Sequence, residues 1–432
     1  MGKQSGILAD LSVAIMARVS AADVRRMMAA WMAAGWLLAS GPAMAQTTGK
    51  NPSHEDILRG FDAAALWASR EDVGYGGTYI PTGMIVKWDK PIVYRLDGMT
   101  HKPAMRDYAV KALQKQAAIA GLEVREATAY DPANYTIVFG DVDVFVMANG
   151  RKAGCYMRPI YDYRSGKMIS AKLRINLSSR DVERCIVHEV LHGFGLLNHP
   201  HKLHSVLSYY TVAFVFDLTE PDEVLLRTLY DPRIKAGMSR LPALLAADGI
   251  IEEKRRALNP AAPPKTDAAA VIANAVTDLE KAAAAGNVRA MLHLAEAARH
   301  GHGMPKDRHR MAALLERAAG QADPAQRFDL AYALAFGWFV PKDEARAAAI
   351  YRLNAEAGHA SSQNNLAVLL RDGKGVAEDK IEALMWFTLA ARGNLAVAEQ
   401  NRQKLLPMLD AAAQQDAARR IEAWKPAGQG AK

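Results

Sequence analysis

The sequence predicts an α+β domain followed by an all-α helical solenoid. Three observations support this division. Alternating apolar segments between residues 84 and 177 surround one helical segment, an order that suits a sheet backed by a helix. The pattern HExxH then occupies His188–His192, where it is typical of a metal-binding helix. Beyond residue 271 glycines and aspartates recur at intervals of 36 residues, the length of one helix pair.

Composition limits the classes of protein that this chain can belong to. Its 432 residues are enough for two or three domains, and 50% of them are hydrophobic, so the chain is globular. The formal net charge of +8 is spread without long basic runs or interleaved aromatic residues. We therefore expect no nucleic-acid binding, and only a mild attraction to anionic surfaces.

The first residues have the pattern of a secretion signal. Arg25 and Arg26 precede the apolar run MMAAWMAAGWLLAS, which ends in glycine and proline before the small residues AMA. This order predicts a signal peptide over residues 1–45 with cleavage before Gln46. The apolar run is short for a membrane span, so no stable membrane anchor is expected after cleavage. The mature protein is predicted to be periplasmic or secreted.

The first domain, residues 46–251, is read as a series of local elements. Proline and glycine set the ends of one helix, and a Thr/Asp pair caps another. The expected elements are a helix-like segment ILRGFDAAALW, a strand at Met84–Leu96, a helix at Pro103–Ala120 closed by Gly121, strands at Leu122–Ala127 and Tyr135–Phe139, a hairpin from Cys155 to Leu177, a helix capped by Thr219 with Asp222, and a helix at Leu241–Ile251.

The second arm of the hairpin has an alternating pattern. Apolar residues occupy every second position from Ile169 to Leu177, and polar residues stand between them. This pattern predicts a half-buried strand without interruption that leads to the metal-binding helix.

The stretch from Arg184 to Tyr210 carries the candidate chemistry. His188 and His192 lie four residues apart, so both rings face one side of a helix and reach one ion, which predicts a zinc site. Glu189 would stand beside that ion and take a proton from its water. Gly195 ends the helix and allows the chain to return a third ligand. The third ligand is open among His199, His204 and His201, in that order of preference.

These residues resemble the metzincin metallopeptidases, whose pattern is HExxHxxGxxH. His188, Glu189, His192 and Gly195 match it, and the third histidine is displaced by one position to His199. The sequence SVLSY at 205–209 resembles the Met-turn of that family, with leucine in the methionine place. The resemblance implies a zinc-dependent peptidase with a metzincin-like zincin fold, and it gives Tyr209, or failing it Tyr210, a role as donor to the oxyanion.

A second resemblance covers Cys155 to Met238, which is similar to the bacterial domain of unknown function 2927. In the pattern of that family the helix reads EExxQ and the following turn GLxND. This chain would thus carry metal-binding histidines where such relatives have other residues, with His199 at the place of their aspartate.

The two cysteines, Cys155 and Cys185, both fall in the first domain. An even pair in an exported domain predicts a disulfide, which would stabilise the fold by roughly 3–4 kcal/mol. Cys185 also lies one turn before His188 on the same helix face, so a thiolate ligand is the alternative.

Residues 252–270 are rich in proline, alanine and charge and predict a linker, followed by a repeat domain at 271–424. Glycines 301, 337 and 373 and aspartates 307, 343 and 379 keep one register. The third unit resembles a Sel1-like repeat closely, and the other two resemble it more loosely. That resemblance implies a curved solenoid that binds a protein partner.

The sequence thus favours an exported zinc peptidase that cleaves a peptide or protein substrate and uses its repeats for recruitment. The alternative is a non-catalytic envelope scaffold, in which the repeats do the work and the metal site is structural or vestigial. Hydrolysis of cell-wall peptide cross-links is a third possibility.

Overall fold

A computed structural model describes residues 52–66, 83–98, 102–140, 154–162, 165–179, 181–200, 203–208, 215–321 and 323–426. All of them belong to one compact unit, Thr48–Lys432. The predicted signal peptide lies outside the described residues. Among the residues described, no helix combines the length and the apolar character that a membrane span needs.

The N-terminal region is a mixed α/β structure built on a five-stranded sheet with the order β2-β1-β3-β5-β4. Strands β1, β2, β3 and β5 are parallel, and β4 runs antiparallel to β5 at one edge. The strands are β1 Ile92–Asp97, β2 Val124–Glu126, β3 Tyr135–Gly140, β4 Cys155–Asp162 and β5 Lys167–Asn176.

The strand expected at Met84–Leu96 is shorter than predicted. Only Ile92–Asp97 is a strand, whereas Met84 and Lys87 form isolated bridges. The chain bends at residues 89–90, and Pro91 has no N–H to give to a ladder. Two separate extended pieces therefore replace one long strand.

The uninterrupted alternation expected in the second hairpin arm is also wrong at its start. The pairing passes from Ile160 opposite Ser170 to Tyr161 opposite Met168, which leaves Ile169 as an extra residue. Met168 is buried and Ile169 is 48% exposed. A bulge of this kind reverses the face that each residue takes, and no local pattern announces it.

Five α-helices accompany the sheet among the described residues of this region. They are α1 His54–Phe61, α2 Pro103–Ala120, α3 Val182–Gly193, α4 Glu220–Leu229 and α5 Arg240–Leu258, with a π-helical turn at Asp62–Leu66 after α1. Helix α2 begins at Pro103 and ends at a left-handed Gly121, as predicted. The Thr219–Asp222 capping box of α4 is also confirmed. Gln116 of α2 donates to the Val187 carbonyl of α3 at 3.0 Å, which fixes these two helices side by side.

The C-terminal region consists of paired helices, as the repeat spacing predicts. They are α6 Ala269–Ala284, α7 Val288–His300, α8 Arg308–Ala319, α9 Pro324–Phe336, α10 Glu344–Glu356, α11 Ala360–Asp372, α12 Lys380–Arg392, α13 Ala396–Leu405 and α14 Ala411–Ala423. The repeated aspartates 307, 343 and 379 cap α8, α10 and α12. The repeated glycines 301, 337 and 373 end α7, α9 and α11 in the left-handed conformation.

The segment predicted as a linker at 252–270 is partly helical. Helix α5 continues to Leu258, past residue 251. The residues EEKRR at 252–256 have high helix propensity and therefore extend the helix. Arg240 of α5, 2% exposed, pairs with Asp62 at 2.6 Å and with Asp278 of α6 at 3.1 Å. A buried guanidinium needs such partners, and this one links the α/β region to the first helix of the solenoid.

Candidate metal centre

Three imidazole nitrogens meet at one point of the α/β region. The Nε2 atoms of His188 and His192 on α3 are 3.1 Å apart, and His199 Nε2 lies 3.1 Å from the first and 3.2 Å from the second. They form the one group of three or more His, Cys, Asp or Glu residues, within the described part of the chain, that has the spacing of a metal site. Of the candidates for the third position that the structure describes, His199 and His204, it is His199 that lies beside the helical pair.

The chain reversal after α3 puts His199 there. Gly195 has a φ of +105°, and a Cβ on it would stand 1.9 Å from the Val86 carbonyl oxygen. Only glycine fits this conformation and this contact. Three residues later the Asn198 N–H donates to the Ala64 carbonyl at 3.1 Å, which fixes the backbone just before His199.

The hydrogen bonds of the two helical rings determine their tautomers. His188 Nδ1 lies 2.9 Å from the Val206 carbonyl, and His192 Nδ1 lies 2.5 Å from the Leu196 carbonyl. A carbonyl only accepts, so each Nδ1 carries the proton and each Nε2 offers a lone pair. Burial lowers the pKa of His188 to about 3 and that of His192 to about 4, so both rings are neutral at pH 7.

These tautomers direct lone pairs towards each other at hydrogen-bond distance, an arrangement that a cation would stabilise. For tetrahedral zinc with Zn–N bonds of about 2.0–2.1 Å, neighbouring nitrogens are about 3.3 Å apart. The observed separations of 3.1–3.2 Å are close to that value. The three histidines therefore fit a zinc ion, and three protein ligands leave a fourth position for water or substrate.

Glu189 stands beside the three nitrogens. Its Oε1 is 4.0 Å from His188 Nε2, and its Oε2 accepts a hydrogen bond of 2.7 Å from the Met157 N–H of β4. Burial raises the pKa of Glu189 to about 8, and the Met157 bond acts in the opposite direction. The side chain as a whole is 16% exposed.

The turn at residues 205–208 lies under the centre. Leu207, at the position that the metzincin resemblance compares with a methionine, is fully buried. Arg184 of α3 donates to the Ser208 carbonyl at 3.2 Å. His204 lies outside the histidine cluster, and its carbonyl oxygen is 2.8 Å from Thr219 Oγ1. Tyr209 and His201 lie outside the described residues.

A disulfide joins Cys155 at the start of β4 to Cys185 on α3, which confirms the predicted pairing. The alternative, a Cys185 thiolate ligand, is wrong because that sulfur is bonded to Cys155. The bridge ties the edge strand to the helix that carries His188 and Glu189. Sequence reasoning missed two other contacts, which have no signal in the sequence: the Met157 bond to Glu189 and the bonds of Asp222 to the turn.

Comparison with known families supports both regions. Residues 55–244 match the family described as a protein of unknown function, DUF2927. This confirms the resemblance inferred for 155–238 and extends it towards the N-terminus. Residues 288–323, 327–359 and 360–395 match the Sel1 repeat, so all three predicted units are confirmed. Such repeats imply a role in protein interaction. The metzincin resemblance stays a prediction.

Two solved structures are similar to parts of the chain. A Sel1 repeat protein from Oxalobacter formigenes is 29% identical over 30% of this chain and 96% of its own, with a TM-score of 0.24. A protective antigen of uropathogenic Escherichia coli strains, displaying an SLR fold, is 22% identical over 48% of this chain, with a TM-score of 0.23. The match covers 53% of that antigen's own chain. No curated protein matches this chain.

Proposed function

We propose that this chain, a DUF2927 domain followed by Sel1 repeats, is an exported zinc-dependent peptidase with a recruitment domain. The observation that carries the proposal is the convergence of three Nε2 atoms within 3.2 Å of one another, next to a glutamate. His188, His192 and His199 would hold the ion. When bound, zinc supplies a Lewis acid that polarises a carbonyl and makes a coordinated water more acidic.

Glu189 moves the proton in this proposal. The pKa of about 8 applies without a metal, and a bound zinc would lower it because a nearby cation stabilises the charged carboxylate. The carboxylate would then accept a proton from the attacking water and return it to the departing amine, so the residue ends the cycle in its starting state. The Met157 N–H holds one carboxylate oxygen and leaves the other, Oε1, on the side of His188. Tyr209, outside the described residues, is the candidate donor to the oxyanion.

An extended polypeptide is the substrate class that the surroundings favour. Strand β4 pairs with β5 on one side and stands last in the sheet of the described residues. It also supplies the Met157 N–H that contacts Glu189, so the outer side of β4 and the proposed proton carrier are adjacent. A peptide added along this edge would place a backbone carbonyl near the three histidines.

Export and recruitment are supported by separate observations. The Cys155–Cys185 disulfide is typical of an oxidising compartment such as the periplasm or the cell exterior. The first Sel1 repeat begins at residue 288, in the helix after α6, whose Asp278 pairs with the buried Arg240 of α5. A protein bound to them would thus be held near the α/β region.

The experiment that tests the proposal combines zinc content with peptide cleavage. Purified protein should contain one zinc ion per chain and cleave members of an unstructured peptide library. Glu189→Gln should keep the zinc and lose about 10²–10⁴-fold in turnover, the usual contribution of a proton-transferring group. Glu183→Gln is the matched control, because Glu183 lies on the same helix and is exposed.

Two results would overturn the peptidase. One is a wild-type protein without stoichiometric zinc, and the other is equal cleavage by wild type and Glu189→Gln. Zinc without any cleavage would favour the alternative, in which the repeats act as an envelope scaffold and the metal site is structural.

A further inference from the structure

Asp222 has more contacts than a helix cap needs. It lies in the first turn of α4, is fully buried, and accepts hydrogen bonds from Thr219 N at 2.9 Å and Thr219 Oγ1 at 2.8 Å. The bond from Thr219 N is one half of the capping box, and both bonds join residues of the cap. Two further donors, the Ser205 hydroxyl and the Val206 N–H at 2.9 Å, come from the turn under the histidines.

The capping box at the start of α1 shows which contacts an aspartate makes when it only caps a helix. At the start of α1, Asp56 accepts from Ser53 N at 3.0 Å and from Ser53 Oγ at 2.7 Å. These are the same two cap contacts that Asp222 makes with Thr219. The contacts of Asp222 with Ser205 and Val206 therefore do not follow from capping.

The contact with Ser205 continues as a line of hydrogen bonds to the candidate metal centre. The Ser205 hydroxyl donates to Asp222 Oδ1, and the Ser205 oxygen accepts from the Leu207 N–H at 3.0 Å. That N–H belongs to the peptide group whose other end is the Val206 carbonyl, which accepts from His188 Nδ1 at 2.9 Å. Every donor in this line points the same way, from the imidazole towards the carboxylate.

We propose that Asp222 is a positioning residue for the metal centre, and that it acts through Ser205 and the Val206–Leu207 peptide to orient His188 and to strengthen its Nε2 as a ligand. This inference rests on the proposed function of the site. A carboxylate that accepts the Nδ1–H of a ligating histidine makes the ring a better donor. Here the same effect is transmitted through one hydroxyl and one peptide, because aligned hydrogen bonds polarise one another.

The donors around Asp222 favour its ionised form. Burial raises the pKa of this carboxyl group, and the hydrogen bonds that it accepts from Ser205, Val206 and Thr219 act against the rise. Both N–H groups, of Val206 and of Thr219, point at Oδ2, and backbone N–H donors stabilise the charged form of a carboxyl group. His192 is held differently, because its Nδ1 donates to the Leu196 carbonyl in the chain reversal directly after its own helix. The line of hydrogen bonds from Asp222 to His188, called the relay below, thus acts on one of the two histidine ligands of α3.

Ser205→Ala tests the relay with little other change. The substitution removes one hydroxyl and leaves the bonds of Asp222 to Val206 and Thr219 in place. Ser208→Ala is a matched control in the same turn, since Ser208 is also buried and its hydroxyl has no hydrogen-bond partner among the described residues. We expect Ser205→Ala to bind zinc about tenfold more weakly, at the lower end of the effect of outer-shell partners, and Ser208→Ala to match wild type.

A second pair of variants separates the relay from capping. Asp222→Asn and Asp56→Asn each disturb one capping box, but only Asp222 reaches the turn. Both should lower the melting temperature, and only Asp222→Asn should weaken zinc binding in competition with a chromophoric chelator. In the double variant Ser205→Ala/Asp222→Asn the loss should be smaller than the product of the two single losses, because both changes interrupt one line.

Nitrogen-15 NMR of the metal-free protein gives a readout that needs neither zinc nor activity. We expect His188 as the Nδ1–H tautomer with a strongly downfield proton, which moves upfield in Ser205→Ala and stays in place in Ser208→Ala. Wild-type zinc affinity together with an unchanged His188 signal in Ser205→Ala would overturn the relay. If wild type binds no zinc, the proposed function fails, and the NMR comparison still decides whether Asp222 acts on His188.

Discussion

Gly195→Ala should damage the candidate metal centre through the backbone alone. The residue has a φ of +105°, where an L side chain is strained by about 1–2 kcal/mol. Its new Cβ would also stand 1.9 Å from the Val86 carbonyl oxygen, and relieving such an overlap costs about 1–3 kcal/mol more. We therefore expect a loss of about 2–5 kcal/mol in the free energy of unfolding.

Two other glycines make this a graded series. Gly121 has a φ of +68°, and a Cβ added to it would meet nothing within 4 Å, so Gly121→Ala should lose only the strain of about 1–2 kcal/mol. Gly249 lies inside α5, also with open space, so Gly249→Ala should gain about 0.5–1 kcal/mol. Urea unfolding of the three variants measures their free energies of unfolding and so tests this order.

Zinc affinity adds the functional part of the prediction. Displacing the reversal at Gly195 moves His199, so that variant should bind zinc at least about tenfold more weakly, while the other two keep wild-type affinity. Equal unfolding losses for Gly195→Ala and Gly121→Ala would refute the assumed contact with Val86. Unchanged zinc affinity in a destabilised Gly195→Ala would refute the role of the reversal in placing His199.

Three further predictions concern stability. Replacing Cys155 and Cys185 by serine opens a link across 30 residues and should lower the free energy of unfolding by about 3–4 kcal/mol; a loss under about 1 kcal/mol in urea would contradict the chain-entropy estimate. Burial lowers the pKa of His293 to about 3, so the folded state binds fewer protons than the unfolded one. The free energy of unfolding then falls as pH falls from about 6.5 towards 3, by up to ~1.4 kcal/mol per pH unit. His293→Gln should reduce this pH dependence, whereas the same change at exposed His309 should not. Arg240→Met leaves two carboxylates without their buried partner and should lose about 3–5 kcal/mol in the free energy of unfolding. Arg233→Met should lose at most ~1 kcal/mol, because Arg233 is half exposed and its partner Asp231 keeps Lys254; similar losses would contradict the importance of burial.

Local signals predicted much of the fold. Proline at 103 and glycine at 121 gave the ends of α2, since both act within one turn of the chain. The Thr219–Asp222 pair gave the start of α4 for the same reason. Repetition gave the solenoid, because each unit repeats the same caps and the same buried positions.

Features that depend on distant partners were not predictable. The exposure of Ile169 follows from a bulge in its pairing with β4, and a single strand contains no sign of it. The strand expected from Met84 was divided because its first part pairs with residues near Met238 and with the start of β5, whereas Ile92–Asp97 pairs with β2 and β3.

The candidate site also contains some features that follow from local sequence and others that depend on distant partners. The spacing of His188 and His192 predicted their convergence, since it is a property of one helix. The bond from Met157 to Glu189 and the second role of Asp222 join elements that are separated in sequence, and only the fold brings them together.

X-ray diffraction at the zinc absorption edge, from crystals of the protein purified without added chelator, tests the central claim most directly. We expect one anomalous peak per chain, about 2.0–2.1 Å from the Nε2 atoms of His188, His192 and His199. An absent peak, or a peak coordinated by other side chains, would contradict the metal centre and with it the peptidase.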